Sequence, residues 1–134
     1  MGIVRTKVLL ANPKRADLAP IETEALVDTG AIHLCVPARI AIQLDLDELE
    51  RREVTLADGS RHSVPYVGPV MTGFGRRHCY TGAMVLGDEV LLGAIPMEDM
   101  DLVVSPLRGD VVPNPQSPNI PASIAKGFRT NHTS

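Results

Sequence analysis

The chain has 134 residues, a net charge of −3 and 44% hydrophobic residues, enough for one domain whose core needs neither metal nor disulfide. The mild acidity excludes a basic nucleic-acid footprint, and with no Trp, two Tyr and two Phe the chain lacks the aromatic platforms on which single strands stack. Two cysteines, Cys35 and Cys79, are too few for a disulfide scaffold and fit a reducing compartment. The first residues hold no charged stretch followed by an apolar one, and no apolar run approaches the roughly 18 residues that span a bilayer. The expectation is a cytoplasmic protein with no nucleic-acid or membrane partner.

In chain order, Ile3 to Leu10 reads as a strand, with Val4, Thr6 and Val8 alternating against Ile3, Arg5 and Lys7. Asn12-Pro13-Lys14-Arg15 is a turn signal. Ile21 to Val27 is a second alternating strand, and Leu34 to Val36 a short third one closed by Pro37. Pro37 to Leu44 is the good helix candidate, because Pro37 suits a first turn and Ile40 and Leu44 make one apolar side. Asp45 to Arg52 is charged and reads as a solvated segment. Val54 to Val64 is a hairpin signal centred on Asp58-Gly59.

Val67 to Thr72 and His78 to Leu86 follow as strands, turned by Gly73-Phe74-Gly75. Val90-Leu91-Leu92-Gly93 is short, apolar and stopped by glycine, as a strand buried on both faces would be. Pro96 to Met100 suggests one helical turn, and Leu102 to Val104 and Asp110 to Val112 a last hairpin. Prolines are dense from Pro113 onward, so residues 1–115 read as the domain and 116–134 as an extended, partly disordered, Pro-rich polar tail. Many short strands with regular turns indicate an all-β barrel or sandwich.

The stretch Ala25-Leu26-Val27-Asp28-Thr29-Gly30-Ala31 organises the rest. Apolar residues run into an acid, a hydroxyl and a glycine. A carboxylate delivered at the end of an apolar strand needs hydrogen bonds, a partner or a proton. Gly30 lets backbone amides approach it closely, and Thr29 offers a hydroxyl that can brace the loop.

This stretch, followed by the Asp58-Gly59 hairpin and then Leu91-Leu92-Gly93, resembles the retropepsin-like aspartic proteases of clan AA, including their single-domain bacterial members and the ubiquitin-linked DNA-damage-inducible type. The resemblance runs from about Ile3 to Pro115 and implies an all-β, closed barrel of the acid protease fold with one short helix, acting as a homodimer on peptide or protein substrates. It further implies that Asp28 is the catalytic acid, that Thr29 and Gly30 complete its loop, and that Ala31, Ala57, Asp58, Gly59 and Ser60 meet the substrate. Gly93 matches the glycine that lets a rear strand pass behind the loop. No cofactor and no metal are implied. Such enzymes place a water between two carboxylates that share one proton. One chain of this length holds a single Asp-Thr-Gly, so the second carboxylate would come from a second copy across a two-fold axis. Ile32 departs from the family pattern, in which a small polar residue often adds a hydrogen bond there.

Other readings stand beside this one. The same fold could serve as a peptide-binding or assembly module with little turnover, or the Asp-Thr-Gly could be an ordinary turn in a structural β-domain. His33 with Cys35, and His78 with Cys79, lack the paired spacings of a zinc site, and no orienting third group marks Cys35 as a nucleophile with His33 or His78 as its base. Arg51-Arg52 and Arg76-Arg77 read as solvated charges at turns or helix ends.

Overall fold

The computed structural model describes residues 3–123. Nine strands and two short helices follow one another as β1 (Arg5–Ala11), β2 (Ile21–Val27), β3 (Leu34–Val36), α1 (Ala38–Gln43), β4 (Asp47–Thr55), β5 (Arg61–Phe74), β6 (Arg77–Val85), β7 (Val90–Leu92), α2 (Ala94–Asp99), β8 (Leu102–Ser105) and β9 (Asp110–Pro113). The fold class is the expected one, all-β with a closed barrel. The main sheet runs β1-β2-β7-β3-β6-β5-β4, and β5 also returns to β1 through Leu9–Gly73, Leu10–Thr72 and Ala11–Met71, which shuts the ring. β4 hangs on β5 outside it, and β8 with β9 forms a separate hairpin.

Alternation explains which side chains face in. On β1, Val8 and Leu10 are buried while Lys7 and Leu9 are exposed. They meet Ala25, Leu34, Val36, Val70, Ala83, Val90 and Leu92 inside the ring, while Ile40 and Leu44 of the α1 segment and Met97 and Met100 of the α2 segment cover that core. Pro37 occupies the N-cap position of α1, one place before the expected first turn. The end of α1 is tied down by Asn12, whose buried amide donates to the carbonyls of Leu44 at 2.9 Å and Asp45 at 3.1 Å. That pairing accounts for a buried polar residue in the turn after β1.

The structure departs from the sequence reading in three places. Asp45 to Arg52 is solvated, but most of it is strand β4, paired with β5 from Asp47–Gly68 to Thr55–Arg61. β5 is one continuous strand of 14 residues rather than two separate ones. Cross-strand hydrogen bonding overrides weak intrinsic preference here, because a hairpin ladder supports charged residues on both faces when neither is fully buried. The third departure is Arg77. It is buried at 5% exposure, and its guanidinium donates to the carbonyls of Met100 at 3.2 Å and Asp101 at 2.9 Å and to that of Ser117.

Ser117 belongs to the beginning of the expected tail, which lies against the barrel. Asp101 has a left-handed backbone, φ 54°, and its carboxylate accepts from Asn114 Nδ2 at 3.0 Å, from the Ser117 hydroxyl and from the Ala122 amide at 3.0 Å. The Ser117 hydroxyl above all, then the Ala122 amide and Asn114, hold this carboxyl below the usual carboxylate range. Residues 124–134 of the expected tail lie outside the described residues.

A buried guanidinium that satisfies three carbonyls leaves them unpaired when removed. Arg77→Leu is therefore expected to lower unfolding stability by about 3 kcal/mol in urea titrations. Arg76→Leu, at the exposed neighbouring position, is expected to change it little.

Candidate active site

The loop after β2 is built by two sets of backbone hydrogen bonds. β2 and β7 run parallel, with Ala25, Leu26 and Val27 opposite Val90, Leu91 and Leu92. The Asp28 amide continues that ladder, donating to the Leu92 carbonyl at 3.0 Å. The chain then turns, the Ala31 amide donating back to the Asp28 carbonyl at 3.1 Å. Beyond Gly93, the first amides of α2 close on the same loop, Ala94 donating to Ala31 at 2.8 Å and Ile95 to Ile32 at 2.9 Å. Gly93 is obligatory at this crossing: a Cβ there would stand 2.5 Å from the His33 carbonyl oxygen and 2.6 Å from the Ile32 carbonyl carbon. Both are backbone atoms held by hydrogen-bonded neighbours, so they cannot step aside.

Asp28 itself is exposed, as are Thr29 and Gly30. Its Oδ1 accepts from the Gly30 amide at 3.0 Å, and a Cβ on Gly30 would lie 3.2 Å from that oxygen. The carboxylate takes no other hydrogen bond and no cation among the described residues. The expected burial cost is thus absent in the single chain: the acid leaves the apolar strand and emerges at the surface. The Thr29 hydroxyl has no hydrogen-bond partner among the described residues. Asp28, Thr29, Gly30 and Ala31 lie together in this one loop. Beside them a depression of about 420 Å³ is lined by Asp28 and Thr29 with the apolar side chains of Ile3, Val4, Leu26, Val27 and Val104.

Ala57, Asp58, Gly59 and Ser60 form the tip of the β4–β5 hairpin. The turn is closed by the Leu56 amide on the Ser60 carbonyl at 2.8 Å and by the Gly59 amide on Leu56 at 2.9 Å. Gly59 has φ 85°, which a side chain would strain. Asp58 Oδ1 accepts from the Ser60 amide at 2.9 Å and hydroxyl at 2.5 Å, and that hydroxyl lies 3.1 Å from His62 Nε2. The Ser60 hydroxyl, then its amide, hold the Asp58 carboxyl below its ordinary range. No hydrogen bond among the described residues joins the tip to the Asp28 loop. The link is made lower down, where the rings of His33 and Tyr66 meet edge-to-face at 5.9 Å and 72°.

Arg52 lies over the Tyr66 ring, 4.0 Å from its centroid. Burial, and then the Arg52 charge, lower the His33 pKa and favour the uncharged ring. The sequence reading overlooked this cluster and took Arg52 for a solvated charge. The signal was the strand register, which only a paired hairpin supplies.

Both cysteines are free thiols, Cys35 half-buried and Cys79 buried. Burial first, and then the Asp28 charge, raise the Cys35 thiol, while burial and Asp99 push Cys79 up to about 11. No group of three or more His, Cys, Asp or Glu that could hold a metal occurs among the described residues.

No family model matches the sequence, and no curated protein matches it. Among solved structures, the chain is similar to the solution structure of the simian foamy virus (mac) protease, with 16% identity, a TM-score of 0.45, and coverage of 69% of this chain and 91% of that one.

Gly93→Ala is expected to destabilise the fold by about 3 kcal/mol, because backbone rather than a side-chain tip must move. Urea unfolding measures it. A raised thiol pKa means less thiolate, the reactive form, at a given pH. Both cysteines are therefore expected to react with a disulfide reagent at pH 8 much more slowly in the native chain than after unfolding, with Cys79 the slower.

Proposed function

We propose that this chain is an aspartic endopeptidase that works as a homodimer, with Asp28 of each copy meeting at the axis. One observation carries the reading. A carboxylate with no cation partner among the described residues stands exposed on a loop whose backbone is locked from behind by β7, Gly93 and α2. Rigid placement is what two-carboxylate catalysis requires, since two like charges at contact distance must share a proton. In the dimer one carboxylate takes a proton from water while the other, protonated, donates to the scissile carbonyl oxygen. The water oxygen attacks the carbonyl carbon. The proton then passes to the amide nitrogen as the bond to carbon breaks.

Two features of the single chain support a dimer. The Thr29 hydroxyl, which has no hydrogen-bond partner among the described residues, could accept a bond from the facing loop. Ile3 is 73% exposed at the rim of the apolar depression beside Asp28 and Thr29. A second copy would cover that apolar area, as self-complementary interfaces do. The β4–β5 hairpin then closes over an extended peptide, with Ala57 to Ser60 at its tip and Ala31 beneath, by backbone bonding of the strand-addition kind.

A second reading has its own support. Ile32 is 61% exposed beside the loop and has no side-chain donor or acceptor. A module that holds peptides with little turnover would tolerate it.

Asp28→Asn is expected to abolish cleavage of an unfolded protein substrate at mildly acidic pH while leaving the fold intact or slightly stabilised. Thr29→Ala is expected to weaken self-association in sedimentation velocity. Wild-type turnover by Asp28→Asn would reverse the assignment of roles, and an Asp28-independent null activity in a stable dimer would favour the binding module.

A further inference from the structure

Opposed residues of an antiparallel pair share a face. The register Glu50–Tyr66, Arg52–Val64 and Val54–His62 puts those six residues on one side of the hairpin. That side meets the Asp28 loop: Val64 on it is buried, and Tyr66 meets His33, which leaves the same loop that carries Asp28, while Val67 on the opposite face enters the barrel core. The Tyr66 ring is seated on β6 at Gly82, where a Cβ would collide with ring atoms Cζ and Cε2 and with the hydroxyl oxygen. The Arg52 guanidinium stacks over this ring, and its Nε donates to Glu50 at 2.7 Å.

A stacked guanidinium with one ion pair has lost most of its freedom before any ligand arrives. Its Nη1 and Nη2 atoms have no hydrogen-bond partner among the described residues. They form the flat fork that fits a carboxylate with two parallel bonds. Glu50 offsets part of the positive charge, so recognition there depends on directed hydrogen bonds more than on a long-range field. His33 at the ring edge adds a wall.

We infer that Arg52 is a specificity-determining residue that takes an acidic side chain, Asp or Glu, of a peptide lying between the hairpin and the Asp28 loop. The inference rests on the peptidase reading only for where the peptide lies.

The test uses the full chain and a set of unstructured decapeptides, each carrying Glu, Gln or Lys at one successive position. Binding to Asp28→Asn is read by fluorescence anisotropy, and kcat/KM is read with the wild-type chain. At one position Glu is expected to bind about tenfold more tightly than Gln. Arg52→Gln should erase that difference, and Arg52→Glu should reverse it in favour of Lys at the same position. A merely structural Arg52 would not produce the reversal. Indifference to Glu in the wild-type chain, or a preference that survives Arg52→Gln, overturns the inference. Glu-dependent binding without Asp28-dependent cleavage upholds the Arg52 site and overturns the peptidase reading. Asp28-dependent cleavage that ignores Glu does the opposite.

Discussion

The crossing of Gly93 behind the Asp28 loop is the contact on which the rest of the structure depends. Two segments far apart in sequence meet there with no side chain between them. The ladder of β2 and β7 ends on the Asp28 amide, and α2 begins on the carbonyls of Ala31 and Ile32. Three backbone hydrogen bonds, from the amides of Asp28, Ala94 and Ile95, cross this junction, so the loop cannot shift without disturbing both elements. A surface carboxylate is thereby given the positional certainty of a core residue while remaining accessible.

The barrel supplies the frame for that junction. β1 pairs with β2 on one side and β5 on the other, so the strand that delivers Asp28 and the strand that carries the hairpin share a neighbour. α1 and α2 plug the core with Ile40, Leu44, Met97 and Met100. The hairpin leaves the frame as a long two-stranded arm. Its lower part is clasped to the loop through Tyr66 and His33, and its tip is shaped by Asp58, Gly59 and Ser60. Among the described residues no hydrogen bond joins that tip to the Asp28 loop.

Much of this was legible in the sequence because the signals were local. Alternation marked β1 and β2, Asp58-Gly59 marked the turn, and the apolar run before Gly93 marked β7. The extent of β4 was not legible, since Asp47 to Arg52 holds charges on both faces and only pairing with β5 makes it a strand. The burial of Arg77 escaped for a related reason: its acceptors, Met100, Asp101 and Ser117, are distant in sequence. For the candidate site, the Asp28 loop and the Gly93 that passes behind it were singled out by motif. The Arg52–Tyr66–His33 cluster was not, because it joins two strands and a loop that no short motif spans.

The outer margin of β4 has a further meaning. Among the described residues it is the unpaired border of the main sheet, and a long border is a template on which other chains add strands. Glu48, Glu50, Arg51, Arg52 and Glu53 crowd that border with charge of both signs, each pair of signs partly offset by Arg51–Glu48 and Arg52–Glu50 contacts. An incoming strand would have to strip water from those groups to align. The arm can therefore be long without seeding fibrillar stacking of its own kind.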